Sequence, residues 1–163
     1  MKNYALVSGF IVAVLGLLVL LVWAGSRTTL KTASADDPNR PIATLEGEPH
    51  FDLGKMKVNE IKDHEFTIKN TGKSNLELGQ VATSCDCTYA YIIKNGESSP
   101  KFTMHGMNDW KTTLMPDETA IVKAVYEPAI MPVEGKVERV VVVTTNDPVS
   151  PKIEFAIMAE VSK

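Results

Sequence analysis

Residues 42–163 predict an all-β antiparallel sandwich, and residues 1–25 predict one transmembrane α-helix in front of it. Three observations carry this reading. After Pro41, apolar and polar residues alternate with period two in several short runs, turn residues separate those runs, and no amphipathic helical pattern of useful length interrupts them. About seven short strands of this kind bury their apolar faces by packing as two sheets.

The anchor comes first in the chain. From Ala5 to Ala24 there is no charge and only Ser8 is polar. At about 1.5 Å rise per residue such a helix spans roughly the 30 Å hydrocarbon core of a bilayer. Tyr4 and Trp23 stand near its two ends, where aromatic rings sit at membrane interfaces. Val22-Trp23-Ala24 resembles a signal cleavage site, but the apolar run exceeds the roughly 7 to 15 residues of a signal-peptide core, so a retained anchor is expected.

Lys2 alone precedes the run while Arg27, Lys31 and Arg40 follow it, which under the positive-inside rule would keep the domain in the cytoplasm. A short leader carrying Lys2 ahead of an apolar run is nonetheless how export signals begin. The expectation is a single-pass protein of the cell membrane, in contact with lipid, with its C-terminal domain on the periplasmic or extracellular side.

Residues 26–41 hold Ser, Thr, Asp, Asn, Arg and two prolines around a single large apolar residue, Leu30, and read as an extended tether. The strands follow. One lies near Phe51 to Leu53. In the next, His64, Phe66 and Ile68 alternate with Glu65, Thr67 and Lys69 before Asn70-Thr71-Gly72-Lys73, a turn in which Gly72 is expected at positive φ. Further strands run from Leu76 to Val81 and, after the Pro116-Asp117-Glu118 turn, from Ala120 to Tyr126. Val137 to Thr145 is rich in β-branched residues and is closed by Asn146-Asp147-Pro148. The last strand, Lys152 to Val161, turns Ile153, Phe155, Ile157, Ala159 and Val161 one way and Glu154 and Glu160 the other.

A net charge of −3 with mixed signs leaves no basic patch, so no nucleic-acid partner is expected. The sequence lacks a G-x-S-x-G elbow, an H-E-x-x-H pair, a phosphate-binding glycine loop and a haem-attachment C-x-x-C-H. His50 and His64 fall in strands and read as packing or surface residues. No enzyme activity is expected.

The landmark of the domain is Ser84-Cys85-Asp86-Cys87-Thr88. Taken with Phe51-Asp52-Leu53-Gly54, Phe66 through Asn70-Thr71-Gly72, Met115-Pro116-Asp117-Glu118 and Thr145-Asn146-Asp147-Pro148, it resembles the bacterial immunoglobulin-like domain of unknown function 1573. The resemblance covers about residues 48 to 161. It implies a seven-stranded immunoglobulin-like antiparallel β-sandwich, exported or membrane-anchored, and implies no activity. Two departures stand out. An inserted loop at 93–114 separates the cysteine motif from the proline turn, and Asp86 stands where the family often carries glycine.

The cysteines admit three states. In an extended strand, side chains two residues apart lie roughly 6 to 7 Å from each other, so a disulfide between Cys85 and Cys87 requires a bend. Otherwise they are two semi-buried thiols, or half of a metal site. Cys85, Cys87, His105 and Met107 together would offer soft ligands and one imidazole, a set suited to copper(I). His105-Gly106-Met107 also resembles the histidine-x-methionine pair of exported copper chaperones. Read as a binding surface, the same loop offers Phe102, Met104, His105, Met107 and Trp110 to a partner.

These readings converge on a non-catalytic, membrane-anchored accessory or scaffolding subunit that docks on a larger membrane protein complex, with no cofactor. The alternative is an extracytoplasmic copper-binding or thiol-redox protein.

Overall fold

The computed structural model describes residues 33–105 and 109–163. The expected anchor lies outside the described residues, and so does Met107; among the described residues no helix is long and apolar enough to cross a membrane. Ten strands are described: β1 (Ala43–Glu46), β2 (His50–Lys57), β3 (Lys62–Asn70), β4 (Leu76–Thr83), β5 (Thr88–Lys94), β6 (Glu97–Ser98), β7 (Lys111–Leu114), β8 (Thr119–Tyr126), β9 (Gly135–Thr145) and β10 (Lys152–Ser162). They form two five-stranded sheets, ordered β1-β3-β8-β5-β6 and β2-β10-β9-β4-β7. The sandwich was expected, but with about seven strands, six of which were placed; β5 and the three short strands β1, β6 and β7 are the additions.

Alternation decides which face of each strand is buried. On β10, Ile153, Phe155, Ile157, Ala159 and Val161 are all buried and Glu154 and Glu160 exposed, as the sequence predicts. They meet Phe66, Ile68, Val122 and Ile92 in one core. Each fully buried aliphatic or aromatic side chain contributes about 1.5–3 kcal/mol.

One pairing departs from the expected antiparallel order. β1 pairs antiparallel with β3, but β2 pairs parallel with β10, from Ala156↔His50 to Ser162↔Lys57. The registers give the reason. β1 and β2 are a single run in one direction that changes sheets halfway, at Gly47–Pro49, with Gly47 at φ 104° making the step. A strand antiparallel to β3 in one layer then necessarily meets β10 in the other travelling the same way.

Gly72 is not at positive φ. A Cβ there would collide with the Arg40 carbonyl oxygen and the Ile42 nitrogen, so glycine is required for close approach of the incoming chain. That chain is held tightly. Arg40 pairs with Asp147 at 2.7 Å, and Asp147 also accepts the Ala43 N–H at 3.0 Å. The end of the segment read as a tether is thus pinned to the β9–β10 turn.

Residues 93–114 supply edges to both sheets. Asn95 and Gly96, at φ 52° and 81°, form a tight turn from β5 into β6; the chain then bridges Phe102 to Ala90 and later adds β7 beside β4. Lys94 ties this region to the next turn through Glu118 at 2.7 Å and the Thr113 carbonyl at 2.6 Å. Its ammonium, with the Met115 N–H, holds the Glu118 carboxyl below the usual range.

His64 stacks on Phe51 with ring centroids 3.5 Å apart and meets the edge of Phe66 at 4.7 Å. Burial lowers its pKa from 6.5, against the opposing pull of Glu65 and Asp63. The unfolded chain therefore binds a proton here before the folded one does. Stability contributed by neutral His64 is complete above about pH 6.5 and is lost as pH falls through the lowered folded value. Melting temperature is expected to fall on acidification from about pH 7.5 to about pH 5.5, a window of roughly one unit either side of an ordinary histidine pKa, and to fall less steeply in His64→Phe. Equal slopes in the two proteins would assign the acid sensitivity elsewhere.

Candidate functional site

The cysteine motif is the crossing between the two sheets: β4 ends at Thr83 in one layer and β5 begins at Thr88 in the other. Ser84 straps the turn to β9, its N–H donating to the Val140 carbonyl and its hydroxyl oxygen accepting the Val140 N–H, both at 2.9 Å. The buried Thr83 hydroxyl lies 3.0 Å from the Cys85 carbonyl and 2.8 Å from that of Thr88. On the other side, the Glu127 N–H donates to the Cys87 carbonyl at 2.9 Å.

Within this turn the two sulfurs are joined, with the Cα atoms 5.3 Å apart, inside the range that a disulfide bridges without backbone movement. The bend that an extended strand could not provide is the turn itself. Cys85 keeps 9% of its surface and Cys87 none.

Arg139 is the residue that the sequence reading missed. On β9 it shares the inward parity of Val137, Val141 and Val143, and its Nε–H donates to Cys87 Sγ at 3.2 Å. Its guanidinium carbon lies 5.5 Å from the Tyr126 ring centroid. The signal was available: Val137-Glu138-Arg139-Val140-Val141 puts a cation in line with core valines, where charge is costly unless it has a partner. Tyr126 is itself buried, and its hydroxyl has no hydrogen-bond partner among the described residues.

The loop residues divide. His105 Nε2 lies 3.3 Å from Asp86 Oδ2, so the insertion does return to the cysteine turn. His105 and Met104 are exposed. Phe102 is not a surface residue: it is 1% exposed, in the core, because its bridge to Ala90 turns the ring inward against Trp110, 5.2 Å between centroids. Trp110 is half-buried against the same cluster.

The bonded sulfurs offer no thiolate, and His105 is already engaged by Asp86. Among the described residues no three His, Cys, Asp or Glu side chains converge to hold a metal ion. Met107, the fourth member of the copper set, lies outside the described residues.

Fold and turn together define a two-layered β-sandwich with a disulfide-closed sheet crossing. The family model described as "Protein of unknown function (DUF1573)" matches residues 45–106, a region that contains this turn. No curated protein matches the sequence. Among solved structures, a protein of unknown function from Porphyromonas gingivalis W83 is similar at TM-score 0.55 and 20% identity, over 74% of this chain and 46% of that one. A family 123 glycoside hydrolase from Clostridium perfringens is similar at TM-score 0.52 and 8% identity, over 71% and 23% of the respective chains. This chain thus spans less than half of either protein. At such identities the likeness is one of fold, and fold alone carries no activity.

Proposed function

We propose that this chain is a non-catalytic accessory subunit, anchored by residues 5–24 and presenting an extracytoplasmic sandwich that docks on a larger membrane protein complex. The observation that supports it most is an apolar cluster at one end of the sandwich. In the connection between β8 and β9, Ile130, Met131 and Val133 are 44%, 49% and 40% exposed. Val133 lines an open groove of about 440 Å³ with Val58, Ala129, Pro132, Glu134 and Lys163. Ile61, in the β2–β3 connection at the same end, is 55% exposed. Exposed clusters of this kind, with a polar rim, mark protein contact sites.

Their position matters. The N-terminal segment enters beside Asn70 and Asp147, at the opposite end of β3 and β9. The apolar end therefore stands off by the length of eleven-residue strands such as β10, roughly 35 Å at about 3.3 Å per residue. A partner gripped there is a part of the complex that projects from the bilayer. With Phe102 in the core, the insertion contributes Met104 and His105 to the docking surface and otherwise braces the fold.

Extraction in a mild detergent tests this. The wild-type chain is expected to migrate with stoichiometric partners, and Ile130→Ser combined with Met131→Ser to migrate alone with its melting temperature unchanged. A wild-type chain that always migrates alone overturns the reading.

A further inference from the structure

We propose that Cys85 and Cys87 form a thiol–disulfide exchange site that accepts electrons from a dithiol, with Arg139 holding Cys87 as the leaving thiolate. Three features of the turn carry this. The disulfide is asymmetric in access: Cys85 retains some exposed surface and Cys87 has none. The cation is asymmetric in the same sense, because Arg139 Nε–H meets Cys87 Sγ at 3.2 Å, whereas Cys85 Sγ has the neutral Thr88 hydroxyl at 3.5 Å. Finally, no carboxylate among the described residues pairs with Arg139.

An inward-facing guanidinium beside a neutral disulfide lacks an anion, and opening the disulfide creates one. A cation adjacent to a cysteine lowers the thiolate's free energy and so its pKa, and a low-pKa thiol leaves faster. Arg139 is half-buried: its Nη1–H donates to the Glu138 carbonyl at 2.9 Å on the exposed side, while its Nε–H faces the Cys87 sulfur.

The exchange runs in two steps. A donor thiolate attacks Cys85 Sγ; a bond forms between the donor sulfur and Cys85, the Cys85–Cys87 bond breaks, and its electron pair passes to Cys87 Sγ beside Arg139. The second thiolate of the donor then attacks the donor sulfur of this mixed disulfide, closing the donor's own disulfide and releasing Cys85, which takes up a proton. Two electrons move from the dithiol to the cysteine pair. The donor's two thiol protons pass to solvent and to the reduced pair. Because a thiolate gains more from the Arg139 cation than the neutral disulfide sulfur that it already touches, the reduced form is favoured and the site is poised as an oxidant of dithiols.

The test uses the full-length chain in mild detergent, with dithiothreitol and glutathione disulfide as probes. Millimolar dithiothreitol is expected to reduce the folded protein. Glutathione disulfide should add to Cys85 in Cys87→Ala at least about tenfold faster than to Cys87 in Cys85→Ala, as access dictates. In the Cys85→Ala background, Arg139→Gln should raise the titration midpoint of Cys87, followed by ultraviolet thiolate absorbance, by about one unit, a tenfold lower thiolate fraction near neutrality. Arg139→Lys should recover part of that shift. A disulfide that opens only when the protein unfolds, equal addition at both cysteines, or an unmoved Cys87 titration overturns the proposal. Should the Arg139 variants not fold, the comparison of the two single-cysteine proteins decides it alone.

Discussion

Asp147→Ala is expected to destabilise the domain by about 3–5 kcal/mol, the cost of removing one partner from a buried ion pair. The carboxylate is 1% exposed and fully used: Oδ1 accepts from Arg40 at 2.7 Å and from the Val149 N–H at 3.0 Å, and Oδ2 accepts from the Ala43 N–H at 3.0 Å. Alanine strips a half-buried guanidinium of its carboxylate and leaves two backbone donors unpaired at once. The damage should extend beyond the turn, since Arg40 and Ala43 belong to the segment that leads into β1. Urea denaturation measures the loss, and limited proteolysis should show early cleavage within residues 33–42. Asp147→Asn keeps the size and one acceptor oxygen and should cost about half as much. A variant within about 0.5 kcal/mol of wild type, the range of ordinary surface substitutions, would show that the latch is not a stability determinant.

Phe102→Ala should be comparably severe, at about 3–5 kcal/mol, because a fully buried aromatic ring leaves a cavity that its neighbours refill only in part. The ring is 1% exposed and supports Trp110, which covers the edge where β7 joins β4. This result discriminates between two roles for the insertion. A docking residue on a free surface would lower partner recovery and leave the melting temperature unchanged; a core residue lowers the melting temperature first. A loss on the order of 10–20 °C is expected. Met104→Ala, at a position 41% exposed, should leave it unchanged.

The contrast between these residues shows what a pattern can convey. Phe102 lies between Lys101 and Thr103 in a polar stretch without periodicity, so its chemistry fits a core or a contact surface equally well. Only its bridge to Ala90, a residue twelve positions earlier on β5, resolves that choice. Strand β5 itself was hard to see because Tyr89 and Tyr91 are large on the outer face while Ala90 is small on the inner one, which flattens the alternation. Strand β7, with four residues Lys-Thr-Thr-Leu, offers one apolar side chain and takes its conformation from β4.

Asp147 and Gly72 look like ordinary turn residues from their neighbours. Each owes its role to the chain near Arg40, more than thirty residues away in one case and more than a hundred in the other, about which local propensity carries no information. Arg139 lies between these extremes. Its inward parity is written in the alternation of β9, but the sulfur that it meets arrives from the distant β4–β5 turn.

By itself, the sequence determined the two-sheet class, the buried face of β10 and the need for a bend at the cysteines. These follow from period-two alternation, turn chemistry and the reach of a side chain, all short-range properties of a polypeptide. Tertiary structure alone decided that β1 and β2 divide one run between two sheets, that the insertion braces both edges, and that a cation faces Cys87. Those are pairings between distant segments, selected by the free energy of closing a common core, which no stretch of chain encodes alone.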